Sequence, residues 1–151
     1  GRLSSCGSEL YVAGLLGHGE GAARLNTPTL LPSTSLGGER AVSVSAANGH
    51  SLALAADGAV WSWGEGSLGQ LGQGNEEEQL LPKKVEALAE RSVVAVSAGF
   101  DHSLTLTADG AVWSWGEGSL GQLGQGNEEE QLLPKKVEAL AERSVVAVWA
   151  G

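Results

Sequence analysis

From residue 41 onward, short runs of apolar, hydroxyl-bearing and aromatic residues alternate with breaks built from glycine, asparagine and aspartate. The stretch VVAVSAGFDHSLTLTADGAVWSWG, residues 93–116, holds three such runs, interrupted at Gly99 and at Asp109-Gly110. Short runs bounded by turn residues predict β-strands. Asp-Gly between two of them predicts a hairpin, because a two-residue type I′ turn needs positive φ at both central positions. With Asp57-Gly58 as that turn, Ala55 would oppose Val60, Leu54 would oppose Trp61, Ala53 would oppose Ser62 and Leu52 would oppose Trp63. Leu52, Leu54, Trp61 and Trp63 would then share a bulky face, and Ala53, Ala55, Val60 and Ser62 a small one. The bulky side of one sheet would stack on the small side of its neighbour. Leu104, Leu106, Trp113 and Trp115 repeat the bulky set.

The pattern recurs. Residues 57–99 and 109–151 agree at 42 of 43 positions, offset by 52, the exception being Ser97 against Trp149. The first 56 residues hold a degraded copy: Glu9 to Gly14 resembles Ala59 to Gly64, and Leu16-Gly17-His18-Gly19 resembles Leu71-Gly72-Gln73-Gly74. Self-similarity at such a period marks a repeat architecture, in which each unit covers its apolar face with its neighbours. The sequence divides as a degraded partial repeat over 1–40, full repeats over 41–92 and 93–144, and the start of another over 145–151.

The segment NEEEQLLPKKVEALAERS works against an all-β reading, since Glu, Gln, Leu, Lys and Ala are good helix formers. Were it helical, Val85, Leu88 and Ala89 would share one face. Pro82 and Pro134 interrupt it, and the preferred reading makes Lys83 to Leu88 an outer strand whose two lysines discourage edge pairing.

Composition narrows the class. The 151 residues suffice for roughly one domain. Glycine, at 23 residues, is about twice its usual share without a three-residue period, so turns rather than collagen account for it. No stretch reaches the ~20 apolar residues of a membrane span. Cys6 has no partner in the chain, which favours a reducing setting, cytoplasm or nucleus. Residues 1–56 carry no net charge, so the whole formal charge of −9 lies in 57–151. That balance disfavours direct nucleic-acid binding and favours a basic protein partner.

The repeated positions carry a resemblance. His50 with Ser51, Asp57-Gly58, Trp61, Trp63-Gly64, and Gly69 through Gly72 to Gly74 recur as His102 with Ser103, Asp109-Gly110, Trp113, Trp115-Gly116, and Gly121 through Gly124 to Gly126. Together with the downstream proline, this set resembles the regulator-of-chromosome-condensation repeat family, well over residues 41–151 and loosely over 1–40. The resemblance implies a β-propeller of four-stranded blades, typically seven in a closed ring. Even four blades at this period need roughly 200 residues, so the expected fold is an incomplete propeller, a little under three blades of a longer protein.

Chemistry is sparse by comparison. Gly64-Glu65-Gly66-Ser67-Leu68-Gly69 fits G-x-G-x-x-G, as do residues 116–121, but Gly72 and Gly74 break any following helix, so a tight loop is expected instead of a dinucleotide site. His50 and His102 stand one period apart without ligand-spaced partners, and are expected to be structural. No catalytic residue, metal or cofactor is expected. Glu76-Glu77-Glu78 and Glu128-Glu129-Glu130 recur on the same loop of successive repeats and are the candidate partner-binding groups. The resemblance implies a non-enzymatic interaction platform; its alternative is guanine-nucleotide exchange on a small GTPase. Light sensing by a Trp/Arg interface fits poorly, because Gly99-Phe100-Asp101-His102-Ser103 and Asn48-Gly49-His50-Ser51 lack both residues.

Overall fold

The computed structural model describes residues 4–8, 16–19 and 24–151. The described residues form strands β1 (Ser4–Ser8), β2 (Arg24–Leu30), β3 (Ala41–Ala46), β4 (His50–Ala55), β5 (Val60–Gly64), β6 (Gln79–Lys84), β7 (Val93–Ala98), β8 (His102–Thr107), β9 (Val112–Gly116) and β10 (Gln131–Lys136). β1 and β2 pair with each other. β3 to β6 and β7 to β10 form two antiparallel four-stranded sheets, each a simple meander. The fold is therefore all-β, two blades of a propeller preceded by a two-stranded piece. Glu9 to Gly14, read as a degraded strand, lies outside the described residues.

The hairpin differs from the expectation by one residue. Gly58 N–H donates to Ala55 O at 3.0 Å and Ala55 N–H to Ala59 O at 2.9 Å, which makes a three-residue loop. Gly58 alone has positive φ, +87°; Asp57 does not. Asp57 instead accepts the Ala59 N–H on Oδ1 at 3.0 Å. This is the turn-plus-bulge hairpin, in which one left-handed residue follows an ordinary turn. Leu54 consequently faces Val60, Ala53 faces Trp61, Leu52 faces Ser62 and Ser51 faces Trp63. Because side chains alternate, that shift exchanges the partners on each face. Leu52, Leu54, Val60 and Ser62 share one side, and Ser51, Ala53, Trp61 and Trp63 the other. The second blade repeats this with Gly110 at φ +82° and Leu106 opposite Val112.

Stacking is corrected accordingly. The indoles are covered by the leucine and valine side of the preceding blade, not by an alanine side. Trp115, fully buried, packs with Leu52, Leu54, Val60, Val85 and Leu88 of the first blade and with Val93, Val96 and Ala98 of its own. Trp63 packs likewise with Leu36 from the segment before β3.

Polar contacts fix this seam. Trp115 Nε1–H donates to Gln70 O at 2.9 Å, and Ser103 Oγ–H donates to the same carbonyl at 2.8 Å. His50 Nε2 lies 2.8 Å from Ser103 Oγ. Since that hydroxyl already donates to Gln70, His50 Nε2 carries the proton, and Nδ1 is left buried without a partner. Finally, Ala98 N–H donates to Ser45 Oγ at 2.9 Å. Gly72 makes the approach possible, because a β-carbon there would lie 2.8 Å from Trp115 Nε1. Gly17 serves Trp63 in the same way, at 2.9 Å. On the far side of the second blade, a β-carbon at Gly121 or Gly126 would meet nothing within 4 Å.

The outer strands run over Gln79–Lys84 and Gln131–Lys136, not from Lys83 to Leu88. Pro82 falls between Gln79, opposite Gly64, and Lys83, opposite Ser62, where the ladder is irregular and no backbone N–H is required. The helix-forming residues yield only single 3-10 turns, Glu86–Leu88 and Glu138–Leu140. Val85 and Leu88 are drawn into the seam, which holds that segment to one turn.

Two outcomes follow for the seam. Trp115→Ala should lower stability by about 3–5 kcal/mol in urea unfolding, whereas Trp149→Ala, at a residue 83% exposed, should change it by less than about 0.5 kcal/mol. Burial lowers His50 from 6.5 to about 4, with His102 adding a smaller repulsion. Its folded pKa is thus below the unfolded one, so its stabilising effect is complete above pH 6.5 and is lost as pH falls toward 4. The loss amounts to about 3 kcal/mol. Unfolding midpoints of the wild-type chain and of His50→Gln should therefore converge between pH 7 and pH 4.

Candidate partner-binding surface

In a four-stranded meander, the β3–β4 and β5–β6 connections emerge at one end of the sheet, and the β4–β5 turn and β6–β7 linker at the other. The predicted acidic triplets lie at the first end. Glu76, Glu77 and Glu78 precede β6, Glu128, Glu129 and Glu130 precede β10, and all six are exposed.

Loop geometry sets how each one is presented. Glu65 N–H donates to Gly49 O at 2.8 Å and Glu117 N–H to Asp101 O at 2.9 Å, tying the start of each long loop to the neighbouring turn. The G-x-G-x-x-G segment folds as consecutive turns, with Gly69 N–H bonded to Gly66 O and Gly72 N–H to Gly69 O, both at 2.9 Å. No helix follows it. Asn127 Nδ2–H donates to Glu129 Oε2 at 2.9 Å, and Glu77 N–H donates to Asn75 Oδ1 at 3.2 Å. The Glu129 carboxylate is thereby tied to its own loop and the Glu77 backbone is fixed by Asn75, while all six side chains stay exposed.

The seam brings the two loops together. Gly74 N–H of the first blade donates to Leu132 O of the second at 2.9 Å. Glu130 is consequently raised above the usual carboxylate range, by partial burial and then by Glu76 and Glu117. Asp101 is raised by partial burial, Glu117 and Glu65, against an opposing effect of His102. The acidic surface thus includes Glu65, Asp101 and Glu117, which the triplet motif alone does not identify. Their signal in the sequence is position: Glu65 and Glu117 each follow a Trp-Gly that ends a strand, and hence open a loop at that same end.

The remaining predicted positions belong to the frame. His50 and His102 start β4 and β8, at the same end as the glutamate triplets but buried beneath them. They differ because residue 47 is alanine where residue 99 is glycine. The His102 ring lies against Gly99 where a β-carbon would clash, and Ala47 excludes that placement for His50. Asp57-Gly58 and Asp109-Gly110 form the opposite-end turns. Trp61, Trp63, Trp113 and Trp115 lie on the stacked faces, Gly64 and Gly116 end β5 and β9, and Gly69, Gly72, Gly121 and Gly124 shape the loops. Among the described residues no group of three or more His, Cys, Asp or Glu is placed to hold a metal ion, and no helix is long and apolar enough to cross a membrane.

Comparison with known proteins agrees with this architecture. Residues 57–106 and 109–151 match the Regulator of chromosome condensation (RCC1) repeat, and a second description of that repeat matches 41–70 and 93–122. The chain is 43% identical over 138 residues to the E3 ubiquitin-protein ligase HERC2 of Homo sapiens, which covers 91% of the chain and 3% of that protein. It is 35% identical over 153 residues to the Ultraviolet-B receptor UVR8 of Arabidopsis thaliana, covering 98% of the chain and 34% of the receptor. Among solved structures, Prp20p from Saccharomyces cerevisiae, described with its binding to Gsp1p and histones, aligns with a TM-score of 0.83 at 25% identity, over 99% of the chain and 37% of that protein. Similarity to the ligases runs through their repeat domain only. With both full blades matched, the chain belongs to the Regulator of chromosome condensation (RCC1) repeat family.

Proposed function

We propose that this chain is part of a non-enzymatic platform whose acidic loop end docks a basic segment of a protein partner. The observation that carries the reading is the crowding of Glu65, Glu76, Asp101, Glu117 and Glu130 at one seam, where partial burial, and after it the like charges of their neighbours, hold Asp101 and Glu130 above their usual range. A cationic partner relieves that repulsion, and complementary charge of this kind speeds encounter and fixes orientation. The repeats 41–92 and 93–144 supply one loop each, so the surface is a property of the pair. Prp20p, whose described properties include binding to histones, offers a related case.

An oligolysine peptide should bind the chain with an affinity that falls as salt rises. The triple variant Glu76→Gln, Glu117→Gln, Glu130→Gln should weaken it about tenfold, with unfolding unchanged. Because Asp101 and Glu130 protonate above the usual range, binding should already decline as pH falls toward that raised range. Equal binding by the triple variant overturns the reading.

A second reading, guanine-nucleotide exchange, draws on the likeness to Prp20p, described with its binding to Gsp1p. It requires the chain's protein to distort a small GTPase so that nucleotide leaves. Release of labelled GDP from candidate GTPases should rise well above the intrinsic rate if exchange is the activity, and remain at that rate for a platform alone.

A further inference from the structure

At the end of the blades opposite the acidic loops, a cavity of about 320 Å³ lies between the linker after β6 and the β8–β9 hairpin. We propose that it is a carboxylate-binding site, fitted to an Asp or Glu side chain of an acidic peptide segment.

The floor is Trp113, with the Arg91 guanidinium 4.8 Å from its ring centroid. Trp113 Nε1–H is buried and has no partner. Arg91 is set in place by its backbone, its N–H bonded to Leu88 O at 2.9 Å and its carbonyl accepting from Val93 N–H at 3.0 Å. Lys136, from β10, lines the same cavity. Among the described residues neither Arg91 nor Lys136 makes a hydrogen bond or close ion pair through its side chain. The Arg91 guanidinium, stacked on the ring, presents its N–H fork to a planar acceptor in this space, and Lys136, whose charge also acts on Asp109, adds a second cation to the lining.

The two anionic lining groups select the ligand. Asp109 Oδ1 is already held by Thr107 Oγ1–H and by Ala111 N–H at 3.3 Å. These hydrogen bonds, Thr107 first, keep Asp109 below its usual range and therefore ionised. With Glu90 alongside, the cavity carries two negative charges against two positive ones. Because these charges nearly cancel, the cavity offers a dianion no excess of positive charge, and a planar, singly charged carboxylate matches the guanidinium fork. The size, near the lower limit for ligand pockets, suits a side chain rather than a folded partner.

The site is specific to this seam. One period earlier, Glu39 stands at the place of Arg91 and Ala55 at the place of Thr107, so the first blade keeps the tryptophan and the β6 lysine, Lys84, but has a carboxylate where the stacking guanidinium would be.

Nuclear magnetic resonance on the chain tests the proposal. The Trp113 indole N–H signal, assigned by its loss in Trp113→Phe, should shift saturably with N-acetylglutamate amide. Affinity should be at least fivefold weaker for the uncharged N-acetylglutamine amide, and inorganic phosphate should bind no more tightly than the glutamate probe. Arg91→Glu, which installs the residue tolerated at Glu39, should abolish the shift while the Trp115 indole signal stays in place. If Arg91→Glu also moves Trp115, Lys136→Gln decides, with a several-fold loss expected. Equal binding by the uncharged probe, tighter binding of phosphate, or undiminished binding by the deciding variant overturns the proposal. None of these variants touches the acidic loop end, so failure here and failure of the platform reading are separately visible.

Discussion

The carbonyl oxygen of Gln70 is the point from which the arrangement of the two blades follows. It accepts from Trp115 and from Ser103, and both donors come from the next blade. An indole N–H buried against leucine and valine needs an acceptor, or its desolvation is uncompensated. The loop backbone supplies that acceptor only because Gly72 lets the chain approach the ring. Glycine at this position, tryptophan at the end of β9 and an apolar face on β4 and β5 are therefore a single requirement expressed at three places in the sequence.

The acidic surface is a consequence of that requirement. Closing the seam pulls the loop of one blade onto the outer strand of the next, through Gly74 and Leu132, and so sets Glu76 beside Glu130. The repulsion is tolerated because the seam is held deeper in by apolar burial and by the hydrogen bonds that converge on the Gln70 carbonyl, where solvent does not screen. Function in such a fold resides in loops that the core positions at little cost to itself.

Much of this was legible in the residues. Period 52, the Asp-Gly turns and the glycine-spaced loops specify an all-β repeat, and Leu16-Gly17-His18-Gly19 was recognisable as a counterpart of Leu71 to Gly74. In the structure Gly17 does for Trp63 what Gly72 does for Trp115. The register was not legible, because Asp-Gly closes either a two-residue or a three-residue loop. The choice rests on Asp57 capping Ala59 instead of adopting positive φ. The outer strand was displaced for a related reason: Pro82 looks like a strand breaker until a ladder irregularity excuses its missing N–H. Glu65, Asp101 and Glu117 were not recognisable as one surface, since their proximity depends on two blades meeting.

Near-identity of two repeats does not give them the same environment. Trp63 and Trp115 share their flanking sequence, yet one rests on a divergent segment and the other on a complete blade. Gly72 is filled by an indole, while its counterpart Gly124 has Val137 of its own blade as nearest neighbour. The one difference between the long copies falls on a seam position. Ser45 Oγ accepts Ala98 N–H, and Ser97 Oγ accepts Ala150 N–H, each at 2.9 Å, so this serine ties its inner strand to the segment one period further along the chain. Trp149 occupies the following place in that series and has no hydroxyl to offer. In a stacked repeat, then, a residue's role is set by the interface it enters, and changing one residue at a seam distinguishes units that are otherwise copies.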